Sequence, residues 1–354
     1  MDTLKRSLII PLLFFFFLSC TGKREAASSA GSGEKETGSE RETVLSVLVY
    51  VTGVVAESPT YELLVAGAEE FARSHEGVKV KVYEAGFNQA EWEEQLGSLV
   101  AGGGYDLVLG SNPSLPEICA NVGEKFPRQK FIITDAEYGG NPRIATWLYD
   151  QYEQSLYLGY LAGLITVSGM EHANAAKKIG FIAAQEYPLL NRQILPGFLE
   201  GARLADPEIT MDFRIIGNWF DAGKAAELAS GMIAGGVDVF GSIAGGATQG
   251  ILRSAGERGA YVVVHNISIY GLAPVIAGCG IMEQKKLVEE ILAAALDGTV
   301  EYGAAKTVGL REGYLGFAAD DPGYRALVPE DIRRKLDAFI EDLRTGAVAP
   351  RQEP

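Results

Sequence analysis

Past residue 43 the chain alternates two patterns of apolar positions. Short runs of β-branched and other apolar residues fall at 44–51, 78–83, 106–109, 131–134, 178–183, 210–216, 237–240 and 261–264. Between them lie longer stretches, such as 61–71, 92–100, 154–165, 223–233 and 248–257, whose apolar residues recur every three or four positions. A period near two set against a period of 3.6 predicts strands joined by helical crossovers, hence an α/β fold with parallel sheets. None of the strand runs contains proline, as central strands require. Eight or more strands over about 300 residues are too many for one small doubly wound sheet and predict two, joined by a hinge.

A further strand-like run at 144–149, followed at once by a long helix, puts the division between the sheets near 147–152. The expected organisation is a first lobe of 44–149 with 283–303 and a second of 150–282 with 304–328. A C-terminal helix at 329–346 and a tail at 347–354 follow. That helix carries Ile332, Leu336, Phe339, Ile340 and Leu343 on one face, so its role is packing.

The first 43 residues follow neither pattern. Lys5 and Arg6 precede an apolar stretch at 8–18 that ends in Phe17-Leu18-Ser19-Cys20. The stretch has the length of a signal-peptide core and falls short of the roughly 20 residues that span a bilayer. Residues 1–20 therefore read as a bacterial lipoprotein signal with Cys20 lipidated, although Phe17 stands where such signals usually carry Leu, and an ordinary cleaved signal is the alternative. Residues 21–41 hold no large apolar side chain and cannot offset ordering entropy, so 21–43 is a flexible tether. The expectation is a lipoprotein of the cell envelope, held to a bilayer through Cys20 and facing the periplasm or the exterior.

Charge narrows the partners. With 46 acidic and 31 basic residues the net charge is −15, which argues against nucleic acid. After lipidation Cys119 and Cys279 remain, one in a helical segment and one in a strand; they read as two separate buried thiols, with a disulfide between them as the alternative.

Catalytic chemistry is sparse. No HExxH, CxxC, GxxxxGK[ST] or GxSxG occurs in the sequence, and no cofactor is implied. His75 and His172 sit in polar turns and read as surface residues, whereas His265 ends a buried strand and is the histidine placed to line a cleft. The glycines at 102–104 and 235–236 end helices just before strands, as left-handed caps do.

In facing α/β sheets, ligands bind at the carboxyl ends of the strands. Those ends carry Glu57 and Tyr61 after the first run, Asn112 after the third and Asp135 after the fourth. The second half contributes Glu186, Tyr187, Trp219, Gly245, Gly246 and Asn266, with Arg192 as the cation. Aromatic faces to sandwich rings and carboxylate or amide groups for hydroxyls suit a small, planar, hydroxyl-bearing neutral molecule.

These features resemble the basic-membrane-protein, or purine nucleoside receptor, family of substrate-binding lipoproteins that feed ABC importers. The similarity runs from about residue 47 to 316. It rests on Phe131-Ile132-Ile133-Thr134-Asp135, Ser155-Leu156-Tyr157-Leu158-Gly159-Tyr160-Leu161-Ala162-Gly163, Ile179-Gly180-Phe181-Ile182, Pro196-Gly197-Phe198 and Ala244-Gly245-Gly246-Ala247-Thr248-Gln249-Gly250, with the strand around 261–266. The resemblance implies a type I periplasmic-binding fold of two lobes, several hinge crossings, an ABC permease as partner and no enzymatic activity.

The departures fall in the ligand site. Val54-Val55-Ala56-Glu57 stands where the family carries Gly-Phe-Asn-Asp, and Gln193 replaces a stacking Phe. Asn266 replaces the Asp that grips ribose, and Glu283 the Lys beside it. Asp135, Gly245, Gly246 and Trp219 are kept, while Tyr61 and Tyr187 can supply new ring faces. The family also has a riboflavin-binding branch, and these changes favour riboflavin over a purine nucleoside. Two other classes compete: an envelope hydrolase using Glu57, Asp135 or Glu186 as a carboxylate pair, and a ligand sensor that docks to a membrane receptor.

Overall fold

In the computed structural model, which describes residues 44–56 and 58–348, twelve strands form two six-stranded sheets. Cys20, the signal segment, the tether, Glu57 and residues 349–354 lie outside the described residues.

The first sheet contains β1 (Leu45–Val51), β2 (Val78–Glu84), β3 (Leu107–Ser111), β4 (Lys130–Thr134) and β5 (Ile144–Tyr149), and the second β6 (Lys178–Ala183), β7 (Thr210–Ile215), β8 (Val237–Ile243), β9 (Tyr261–Val264) and β10 (Ile276–Met282). β11 (Ala305–Val308) and β12 (Leu315–Phe317) complete them. The orders are β11-β5-β4-β3-β1-β2 and β12-β10-β9-β8-β6-β7. Each strand of β1 to β5 thus has a counterpart five places later in the same sheet position. All pairings are parallel except β10 with β12. Central strands such as β3 and β5 are buried along their whole length, as parallel strands covered on both faces must be. β2 is an edge, and its outward Lys79 and Lys81 discourage further strand pairing.

In the first lobe, α1 (Pro59–Ser74) lies on one sheet face beside α8 (Gln284–Leu296), and α2 (Trp92–Ala101) and α3 (Leu115–Lys125) cover the other. In the second, α4 (Gln151–Thr166) packs on α5 (Leu195–Ala205), and α6 (Ala222–Ala234) packs on α7 (Thr248–Arg258). α9 (Pro322–Leu327) lies against β10, and α10 (Glu330–Thr345) lays Ile332, Leu336, Ile340 and Leu343 inward, with Phe339 against Tyr160 of α4. α4 has no exposed polar face and is almost wholly buried, the signature of a central rather than a surface helix.

The α4–α5 approach is set by glycines. A Cβ at Gly159 would lie 2.0 Å from the Phe198 carbonyl oxygen, and one at Gly201 would lie 1.9 Å from that of Leu156. No larger residue fits at either place without separating the helices.

Among the described residues the chain crosses between lobes at 149–151, at 282–284 and at 308–315. The third crossing departs from the expectation that 304–328 belongs to the second lobe: β11 is the outer strand of the first sheet, paired with β5 from Ala305↔Thr146 to Val308↔Tyr149. Its four residues begin with three exposed ones and carry no buried-strand signature, so pattern alone assigns them poorly. Two histidines also differ from expectation. His75 is half-buried, stacked on Phe71 with ring centres 3.9 Å apart, and His172 packs on Tyr261 at 5.1 Å. Cys119 and Cys279 are free and buried.

Candidate functional site

The carboxyl ends of β3, β4 and β5 are tied together by one side chain. Gln284, the first residue of α8 and 1% exposed, donates from Nε2 to Ser111 Oγ at 3.1 Å and Thr134 Oγ1 at 3.0 Å, and its Oε1 accepts from the Tyr149 hydroxyl at 2.5 Å. The sequence reading missed this amide, choosing its exposed neighbour Glu283, whose backbone N–H donates to Tyr314.

Asp135 follows β4 directly, with φ 54°. Gln151 Nε2 donates to its Oδ1 at 2.9 Å, while burial pushes its carboxyl up to about 7. Its charge acts on Tyr61 and, from the second lobe, on Tyr187; burial is the main cause that raises both phenols. Asp135 therefore stands where side chains of both lobes converge.

Tyr61, in the first turn of α1, is fixed rather than free. Its hydroxyl pairs with Thr52 Oγ1 at 2.7 Å, donates to the Thr52 carbonyl at 3.2 Å, and accepts from Asn112 Nδ2 at 3.5 Å. Asn112 Oδ1 in turn accepts from the Ser114 N–H at 2.8 Å. The Tyr61 ring flanks Gly53, and a second ring flanks it too: a Cβ there would lie 3.2 Å from Phe87 and 3.3 Å from Tyr61. Phe87 was not anticipated. Its signal was available, since it lies just past the end of the second strand run, next to Gly86.

In the second lobe Trp219 is 41% exposed and leans over Gly245, where a Cβ would lie 3.3 Å from the indole. Gly245 also has φ 55°, so both the space and the backbone call for glycine. The loop is fixed by Asn218, whose Oδ1 accepts from the N–H of Phe220 at 3.0 Å and of Asp221 at 2.7 Å. Ala247 N–H donates to the Trp219 carbonyl at 3.0 Å, which sets the Gly245–Ala247 turn containing Gly246 beneath the indole.

Asn266, with φ 74°, borders a crevice lined by Pro59, Thr60, Leu63 and Gln284 of the first lobe and by Ile267 and Met282 of the second. Its Oδ1 is buried without a partner, and so is Gln193 Oε1 on the Leu190–Ile194 turn. Arg192, on that same turn, is exposed. His265 is a correction: at 4% exposed, with Nε2 3.1 Å from Ser155 Oγ and its ring against Phe181 and Phe198, it belongs to the core. Burial depresses it to about 3, so it is neutral.

Of the carboxylates considered for a hydrolase, Glu57 lies outside the described residues and the other two are engaged elsewhere. Asp135 is held by Gln151, and the exposed Glu186 accepts from Asn191 Nδ2 at 2.9 Å. Among the described residues no group of His, Cys, Asp or Glu is placed to hold a metal ion, and no helix is long and apolar enough to cross a membrane.

The sequence profile of the family described as "ABC transporter substrate-binding protein PnrA-like" matches residues 44–347. A CD4+ T-cell-stimulating antigen of Listeria innocua is 23% identical over 65% of this chain and 63% of its own length. The ABC transporter nucleoside-binding protein BmpA of Lactococcus lactis is 26% identical over 49% of this chain and 44% of its own. The chain thus spans less than two thirds of these relatives, whereas basic membrane protein A2 of Borrelia garinii matches at 22% over 93% of this chain and 91% of its own. In three dimensions the crystal structure of an ABC transporter solute-binding protein from Aeropyrum pernix superposes with a TM-score of 0.72 at 21% identity, covering 87% of this chain and 94% of that one. The fold is accordingly that of the two-lobed periplasmic-binding proteins.

Proposed function

The chain belongs to the family of PnrA-like ABC transporter substrate-binding proteins, and from that premise we propose that it captures a small ligand with a planar ring and several hydroxyls and delivers it to an ABC permease. The role is binding, not catalysis. One observation carries the ligand class: Gln193 Oε1 and Asn266 Oδ1, at two positions that the family resemblance implies are ligand positions, are buried acceptors with no protein donor. An orphaned buried acceptor costs about 1–3 kcal/mol, and ligand hydroxyl or N–H donors relieve that cost. Asp135 adds a third acceptor, and Trp219 and Tyr187 offer ring faces.

Riboflavin is the favoured member of this class. Asn266 and Glu283 replace the Asp–Lys clamp expected for ribose, and an amide suits a ribityl chain that needs no charge-assisted grip. A purine nucleoside is the second reading, supported by the nucleoside-binding description of the Lactococcus lactis relative. Calorimetric titration with riboflavin, inosine, guanosine and adenosine separates them. The favoured reading expects a riboflavin Kd below about 1 μM, or ~8 kcal/mol, with quenched flavin fluorescence and poor competition by inosine. Tight nucleoside binding without a flavin response selects the second reading.

The proposed location is the cell envelope, through a lipid on Cys20. Cys20→Ala should move the protein into the soluble fraction with ligand affinity unchanged; a variant that stays on membranes after a carbonate wash rejects the anchor.

A further inference from the structure

We infer that Phe87 is a ring-stacking ligand residue, forming with Trp219 an aromatic clamp at the mouth of the cleft. The inference rests on the ring-bearing ligand class proposed above and adds the residue that grips the ring from the first lobe.

The strand orders locate the mouth. All three crossings leave or enter at β5, β10, β11 and β12, which lie at one side of the two sheets. β2 and β7 are the opposite edges, farthest from the hinge, where closure of the lobes produces the largest displacement. Phe87 lies three residues past Glu84 at the end of β2, and Trp219 four past Ile215 at the end of β7. Each therefore projects from the carboxyl end of the mouth strand of its own lobe.

Exposure singles out the same residues. Among the described residues the large exposed apolar side chains are Val44, Phe87, Val167, Leu204, Trp219, Phe220 and Leu272. Scattered aliphatic residues are ordinary on a surface. The three aromatic ones are not scattered, since they occupy the two mouth edges and no other place. Phe87 is 76% exposed and Phe220 77%.

Phe87 is also held in place. Gly86 takes φ 67°, its N–H donates to the Gly53 carbonyl at 3.0 Å, and its own carbonyl accepts from Trp92 Nε1 at 2.9 Å. This turn directs the Phe87 ring back over Gly53, where the missing side chain leaves a seat. Glu84 Oε1, accepting from the Val55 N–H at 2.6 Å, ties the neighbouring loop to the same strand end. A ring fixed at its edge by backbone and open on a face is preorganised for stacking, which prefers offset parallel or edge contacts. Tyr61, on the other side of Gly53, has its hydroxyl committed to Thr52 and Asn112 and serves as floor, leaving Phe87 as the free plate of the first lobe.

The test is titration of the full chain and of Phe87→Ala, Phe87→Tyr and Trp219→Ala with riboflavin and with inosine, alongside thermal melts. Phe87→Ala should raise the Kd of the bound probe roughly tenfold or more with little change in Tm, as expected for losing an anchoring ring that is exposed in the free protein. Phe87→Tyr, which keeps the ring, should retain affinity within about threefold. Unchanged affinity in Phe87→Ala while Trp219→Ala weakens binding would overturn the clamp and leave the proposed function intact. Wild-type protein that binds neither probe would remove the ring-bearing ligand class and the clamp with it.

Discussion

Asp135 and Asn266 are counterparts in the two lobes: each lies just past the carboxyl end of the strand fourth in its lobe's chain order, β4 or β9, and each holds a left-handed backbone, φ 54° and 74°. Only one other non-glycine among the described residues does so, Lys177 at 48°. Asp and Asn tolerate this region better than other L-residues, and strain kept at a site is characteristic of preorganisation. Both turns aim a polar side chain into the space between the lobes.

For Asp135 this arrangement implies a pH-dependent affinity. Its carboxyl is pushed up to about 7 by burial in the free protein. A ligand hydroxyl that donates to it stabilises the ionised form, so binding releases a proton and affinity rises as pH climbs from 6 to 8. Asp135→Asn keeps the shape and the left-handed turn and should weaken binding about tenfold at pH 8 with a flat pH profile. Calorimetry in two buffers of different ionisation enthalpy measures the proton directly.

Glu153 gives a second pH effect, on stability. It is 7% exposed where the first and third crossings meet, and its Oε2 accepts from the Leu310 N–H at 2.8 Å. Burial, then the charges of Asp150 and Glu312, raise it to about 7 from 4.5, against the Leu310 N–H and the weaker attraction of Arg311. An acid raised in the folded state is protonated there before it is protonated in the unfolded chain. It contributes no penalty below about 4.5; the penalty builds as pH rises from there to about 7 and is complete above that. Glu153→Gln should therefore match wild type near pH 4 and melt higher at pH 8, by no more than about 3 kcal/mol. A gap that does not open with pH refutes the assignment.

Gly159→Ala and Gly201→Ala test the packing of the second lobe. Each places a methyl within 2.0 Å of a carbonyl oxygen on the facing helix, and backbone cannot yield as a side-chain tip can. Losses of 3 kcal/mol or more are expected, of the order of severe overpacking. Gly231→Ala in α6, whose Cβ meets nothing, should be neutral or slightly stabilising in the same melts.

These glycines also explain what the sequence could disclose. Gly159 and Gly163 of α4 and Gly197 and Gly201 of α5, all but the last within the recognisable stretches, prove to be helix-contact residues. The pattern was therefore informative about the fold, because apolar period and close-packed glycines are local. β11 was misplaced because a short, exposed edge strand owes its partner to topology rather than to its own residues. In the site, Asp135, Trp219 and Asn266 were legible as polar or aromatic residues at strand ends. Phe87 was open to the same rule, since it lies just past the second strand run next to Gly86; Gln284 was not, since nothing in a single residue type marks a buried amide that joins three strands.

Gln284 is where fold and site meet, and its removal should show in both. Its amide satisfies Ser111, Thr134 and Tyr149 at the ends of three adjacent strands, next to Asp135 and at the second crossing. Gln284→Leu keeps the volume and leaves three buried hydroxyls short of a partner, each costing about 1–3 kcal/mol. A loss of at least about 2 kcal/mol is expected, readable as several degrees of Tm. Gln284→Glu still accepts from Tyr149 but offers no donor to Ser111 or Thr134, and it places a second carboxyl beside Asp135. Like charges in one buried site cannot both ionise readily. Gln284→Glu should therefore be least damaging at acid pH, where its carboxyl is protonated, and should push the affinity profile set by Asp135 to higher pH. An affinity profile identical to wild type would separate Gln284 from the ligand site and leave it a purely structural link.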